Sequence, residues 1–138
     1  MPAPHQRPSV VILVETATIY GRRILHGITR YLRSHEPWSV FLEQHELGAD
    51  PPPWLHRWKG QGLITRVMTD EFAVGLRKSK LAVVDLNDRI GNAGFPRINS
   101  HDDAIGRLAA EHLLDRGFRS FGFCGFSQEL WVERRRLG

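Results

Sequence analysis

Short β-branched runs alternate along this chain with stretches whose apolar residues recur every third or fourth position, and that alternation constrains the fold more than any single motif does. Val10-Val11-Ile12-Leu13-Val14, between Ser9 and Glu15, reads as a strand buried on both faces. Ile19, Ile24, Leu25, Ile28, Tyr31 and Leu32 then fall at helical spacing, with Arg22, Arg23, Arg30 and Arg33 around the other side, and the helix stops before Pro37. Val40-Phe41-Leu42 makes a second strand. After it, Pro51-Pro52-Pro53 fixes an extended entry to a short helix carrying Trp54, Leu55 and Trp58, which Gly60 and Gly62 end.

Residues 63–67 are a third strand, and Thr69 with Asp70 and Glu71 supplies the cap and acidic first turn of a helix with Phe72, Ala73 and Leu76 inside. Residues 81–84 are a fourth strand. Beyond a loop rich in Gly, Asn and Pro, Ser100 and Asp103 stand in the S-x-x-D arrangement of a helix cap. The apolar face of that helix is Ile105, Leu108, Ala109 and Leu113, and Gly117 closes it. Residues 121–126, aromatic and small in turn, read as a fifth strand, and a last helix begins near Leu130 with no strand after it. Strands alternating with helices at this spacing predict an α/β fold, a doubly wound parallel sheet, and the unfinished last unit makes the chain read as truncated.

At 138 residues the chain has the length of roughly one domain, and with 41% hydrophobic and 25% charged residues it has the balance of a folded one. A single cysteine, Cys124, cannot close an internal disulfide, so the expectation is a reduced, cytoplasmic setting with Cys124 packed in the core. The amino terminus has no apolar stretch of signal-peptide length, and the run 10–14 is far short of a bilayer span. The net charge of +4 is spread along the chain except at Arg22-Arg23 and Arg134-Arg135-Arg136, so it draws no stripe for nucleic acid.

In open doubly wound sheets ligands sit beyond the carboxyl ends of the strands. The residues there are 15–20, 43–46, 66–69 and 85–89, a polar set that suits a neutral hydroxylated ligand: carboxylates, amides and Arg forks pair with hydroxyls while a ring covers the apolar face of a sugar. Neither G-x-G-x-x-G nor G-x-x-x-x-G-K-[ST] occurs, so no phosphate cradle and no nucleotide cofactor is called for. The histidines form no H-E-x-x-H pair, which leaves no metal site to propose. Ser127 lacks the second glycine of a nucleophile elbow, and no catalytic constellation is found.

The stretch 99–118, from a polar helix start through G-R-L-A-A-E-H-L to R-G-F, followed by the Phe-rich segment closing in Gly125, resembles the LacI/GalR-type effector-binding domain, the periplasmic-binding-protein type 1 fold. Tyr20-Gly21-Arg22 with Gly27 and Tyr31-Leu32, then Trp38, Phe41 and Glu43, then Trp131 with Arg135, is similar more closely to the xylose operon regulator group. Those proteins join such a sensor to a carboxyl-terminal AraC/XylS-type pair of helix-turn-helix motifs.

The resemblance implies a flexible leader over 1–8, a first lobe over 9–117, and over 118–138 the opening strand and helix of an incomplete second lobe. It implies a sugar, xylose or a related aldose, held between lobes, with Thr16, Tyr20, Asp85 and Asn87 offered from the first lobe and Trp131 and Arg135 from the second. Arg135 matches the family's R-x-x-G pattern with Gly138. Where many members carry Asp, this chain has His101; if that acid fixes the helix start or the hinge, His101 makes the contact pH-dependent or abolishes it. The expected function is the sensing portion of a DNA-binding transcriptional regulator, a homodimer at full length, not an enzyme, reaching DNA only through a module outside these residues. The rival reading is a small α/β enzyme acting on a sugar, with Asp85, His101 or Glu15 as acid or base.

Overall fold

The computed structural model of the protein describes residues 7–46, 48–87, 89–127 and 129–138; most of the expected leader lies outside them. Four strands form one parallel sheet: β1 (Ser9–Val14), β2 (Ser39–Gln44), β3 (Gly62–Thr65) and β4 (Ala82–Asp85), in the order β2-β1-β3-β4. Helix α1 (Ile19–Ser34) joins β1 to β2, a single 3-10 turn (Leu55–Arg57) lies between β2 and β3, and α2 (Asp70–Lys78) joins β3 to β4. Helices α3 (Asp102–Asp115) and α4 (Leu130–Leu137) follow. The chain divides into two compact units, Met1–Ile98 and Asn99–Gly138.

In the first unit β1 is buried from Val10 to Val14 and separates two layers of core. Val11 and Leu13 face Leu63, Val67, Phe72, Ala73 and Leu76, so α2 covers that side. Ile12 and Val14 face Leu86 with Ile24, Leu25 and Ile28 of α1 on the other. Alternate side chains of one strand point to opposite faces, which is why an unbroken apolar run was required. Each such side chain fully buried contributes about 1.5–3 kcal/mol.

The helices begin where their caps dictate. Thr18 Oγ1 accepts the N–H of Gly21 at 3.0 Å and Thr69 Oγ1 that of Phe72 at 3.2 Å. In the second unit α3 is capped by His101, whose Nδ1 accepts the N–H of Ala104 at 3.2 Å, and not by Ser100 as the S-x-x-D arrangement suggested. The helix ends as expected: Gly117 takes φ +86, and the N–H of Phe118 bonds the carbonyl of Leu113.

Helices α3 and α4 approach backbone to backbone. A Cβ on Gly106 would overlap the carbonyl oxygen of Arg135, and one on Gly138 would overlap that of Asp103. The first glycine of the G-R-L-A-A-E-H-L stretch and the glycine of R-x-x-G are therefore packing requirements.

Three further expectations are corrected. Residues 121–126 form no strand, and Phe121, Phe123 and Phe126 are 50%, 52% and 73% exposed. A strand exists through its ladder, and among the described residues of this unit there is no other strand to pair with. Cys124, within that segment, is accordingly exposed rather than part of a core. Much of the expected apolar face of α3 is also exposed, Leu108 most of all at 68%.

Candidate functional site

Because β1 and β3 are parallel neighbours with Leu13 opposite Thr65, the residues that leave their carboxyl ends come out side by side. Glu15 leaves β1 and Arg66 leaves β3, and the Arg66 guanidinium meets Glu15 Oε1 at 2.5 Å. Their side chains are only 19% and 10% exposed, so the pair is far less screened by water than a surface salt bridge. Thr18 Oγ1 also reaches Glu15 Oε1, at 3.4 Å. The other carboxylate oxygen, Oε2, and Arg66 Nε are buried with no hydrogen-bond partner among the described residues, an acceptor and a donor left unfilled in one place.

The Tyr20-Gly21-Arg22 triplet builds the rim around this pair. The Arg66 guanidinium lies 5.1 Å from the centroid of the Tyr20 ring, which remains 42% exposed. Gly21 is buried, and a Cβ there would overlap the Glu15 carbonyl oxygen, so only glycine lets α1 start so close to the end of β1. Arg22 donates to the carbonyls of Thr16 at 3.2 Å and Ala17 at 2.8 Å, holding the intervening loop. Thr16 Oγ1 donates to Gln44 Oε1 at 3.0 Å, which ties the same loop to the end of β2. Thr16 and Tyr20 therefore stand together on one edge, with Glu15, Arg66 and Gln44 as partners.

Asp85 and Asn87 belong to the supporting layer beneath. Asp85, fully buried at the end of β4, accepts the N–H of Val67 at 2.9 Å and that of Asn87 at 3.0 Å on Oδ1. Its Oδ2 faces Arg97 Nε at 3.6 Å, too long for a hydrogen bond. Burial pushes the Asp85 carboxyl above its ordinary value, and the Val67 and Asn87 amides with the charges of Arg97 and Arg66 hold it back. Asn87 Nδ2 returns a bond to the Val67 carbonyl at 3.0 Å. Both side chains position the ends of β3 and β4 and are already committed to backbone.

Trp131 and Arg135 lie in the second unit. Arg135 stacks over Trp131 at 4.7 Å and gives its Nε to Asp102 at 2.8 Å, whose side chain is 1% exposed. The guanidinium is thus partly spent on a buried carboxylate. Of the groups the enzyme reading needs, Glu15 is paired with Arg66, Asp85 holds two amides, and His101 Nδ1 accepts the N–H of Ala104. Among the described residues no group of three His, Cys, Asp or Glu is placed to hold a metal ion, and no helix is long and apolar enough to cross a membrane.

Sequence reasoning placed Glu15 and Arg66 at strand ends without joining them. The missing information was strand order: only the adjacency of β1 and β3 makes the residues following them neighbours.

Residues 9–99 match the sequence model of the XylR N-terminal domain, a periplasmic-binding-protein type 1 module. Among solved structures the chain is similar to one described as the structure of the xylose-binding transcription activator XylR, with a TM-score of 0.72 at 19% identity. The match covers 96% of this chain and 34% of that one, so the chain spans about a third of that protein's length. A search of curated proteins found no match.

Proposed function

The chain belongs to the XylR N-terminal domain family, and from that premise we propose that it is the sugar-sensing portion of a transcriptional regulator, one wall of a clamp that closes on xylose or a related aldose. The observation that carries this reading is the Glu15–Arg66 pair at the carboxyl edge of β1 and β3, with its unfilled acceptor and donor beside the exposed ring of Tyr20. A sugar hydroxyl both donates and accepts, so it has the chemistry to fill either atom, donating to Glu15 Oε2 or accepting from Arg66 Nε. Tyr20 offers apolar ring surface to the C–H face of the sugar, and Thr16 and Gln44 offer a hydroxyl and an amide. Asp85 and Asn87 act as positioning residues for this edge.

On the same reading residues 9–117 belong to a first lobe and 118–138 open a second, from which Trp131 adds a stacking face and Arg135 its remaining donors. The solved relative's description, a xylose-binding transcription activator, supports the substrate class. Closure of two walls on the sugar favours one geometry of the whole regulator by the difference in affinity between open and closed forms. In this account DNA is reached through a helix-turn-helix module beyond these residues, the full regulator is a cytoplasmic homodimer, and the sensor carries out no reaction.

Calorimetric titration of the chain with D-xylose tests the proposal. A single wall supplies part of the contacts, so the expected Kd is on the order of 1 mM or weaker, equivalent to about 4 kcal/mol or less. Arg66→Ala removes the binding. Sub-micromolar affinity, or binding unchanged in Arg66→Ala, contradicts it.

A further inference from the structure

The connection from β2 to β3 crosses the α2 side of the sheet with only a 3-10 turn, and it leaves a recess of about 220 Å³ at the sheet edge. In register, Phe41 lies opposite Val11 and Glu43 opposite Leu13, so both project to this side from the edge strand β2. The turn delivers Trp54 and Trp58 over them, and the recess is lined by Val11, Phe41, Leu42, Glu43, Trp54 and Trp58.

Its walls are aromatic and mutually steep. Phe41 and Trp58 meet edge to face at 4.9 Å and 76°, and Trp54 and Trp58 at 5.9 Å and 65°. Phe41 stays 53% exposed, so the box is open on one side. Glu43 is half-buried, and among the described residues its side chain has no hydrogen bond and no ion pair. Arg57, beside Trp58 in the chain, donates instead to His56 at 3.1 Å.

Ring faces carry negative quadrupole potential, and an unneutralised carboxylate among them adds a full negative charge, so the recess attracts a cation that tolerates apolar surroundings. Glu43 is the single side-chain acceptor in the lining, and a guanidinium with its five N–H donors would leave most of them unpaired. An ammonium whose hydrogens are replaced by alkyl groups has no such debt. We propose that this recess is a binding site for a small alkylated ammonium cation, separate from the edge formed by Glu15, Arg66 and Tyr20.

The test titrates the whole chain with choline and with its neutral isostere 3,3-dimethylbutan-1-ol, reading tryptophan fluorescence and backbone amide shifts. Choline is expected to bind saturably, moving amides of residues 41–43 and 54–58, with the neutral alcohol about tenfold weaker, the ratio a cation–π and charge preference supplies. Glu43→Gln, which removes the charge and keeps the side chain's size, weakens choline severalfold and leaves the response to the alcohol as it was. Equal binding of choline and the alcohol, unchanged choline binding in Glu43→Gln, or no saturable choline response in the wild-type chain overturns the proposal.

Discussion

Asp85 Oδ1 accepts the backbone N–H of Val67 at 2.9 Å, and this bond fastens the last residue of β4 to the chain just beyond β3. Arg66, the residue between β3 and Val67, forms the ion pair with Glu15, so the placement of the candidate site rests on this buried carboxylate.

Replacing Asp85 by Ala leaves the Val67 and Asn87 amides without their acceptor, and each buried unsatisfied group costs about 1–3 kcal/mol. Asp85→Asn keeps an oxygen in the same place. The expected order of urea midpoints is therefore wild type and Asp85→Asn close together and Asp85→Ala far below, with equal midpoints for Asn and Ala variants contradicting the bond's role.

The pH dependence has a definite sign. The Asp85 carboxyl is raised above 3.8 in the folded chain, mainly because burial removes the hydration of its charged form. Between 3.8 and the raised value the folded state holds more protons than the unfolded one, so this group's contribution to stability grows as pH falls through that window and is lost as pH rises through it. Asp85→Asn has no such titration. Denaturation across mildly acidic pH is expected to show the wild type gaining on Asp85→Asn as pH falls; a gap that moves the other way contradicts the assignment.

Gly21 and Gly27 lie on the same helix and predict opposite outcomes. Gly21→Ala drives a methyl group into the Glu15 carbonyl and is expected to lose about 1–3 kcal/mol, the range of overpacking. At Gly27 a Cβ meets nothing within 4 Å, and Gly27→Ala gains about 0.5–1 kcal/mol of helix stability. Thermal melts of both variants check the pair, and a Gly21→Ala chain as stable as wild type would show that α1 does not need its close start.

In the second unit, Arg135→Ala leaves the buried Asp102 carboxylate unpaired, a loss of about 3–5 kcal/mol for a group so deeply placed. Asp102→Asn in the same background removes the stranded charge. The double variant is expected to recover a large part of the stability, read by Trp131 fluorescence during unfolding; no recovery would mean that Arg135 acts through its stack on Trp131 alone.

Much of the fold was legible because its signals are local. The run at Val10 to Val14 could only be an inner strand, and Thr69 before Asp70 and Glu71 marked a helix start that the structure keeps. Non-local facts were not legible. The side-by-side exit of Glu15 and Arg66 follows from strand order, and the failure of residues 121–126 to form a strand follows from the lack of a ladder partner among the described residues of their unit. His101 as cap was hidden for a different reason: Ser100 is the better capping residue by type, but α3 starts at Asp102, which puts His101 and not Ser100 at the cap position.

The central claim, that the edge formed by Glu15, Thr16, Tyr20 and Arg66 is the sugar-facing wall, is tested most directly by mapping backbone amide shifts during a D-xylose titration of the chain. The account predicts concentration-dependent shifts concentrated at residues 15–22, 44 and 66–67, all removed by Arg66→Ala. Shifts confined to other surfaces, or an unchanged spectrum in saturating sugar, would contradict it.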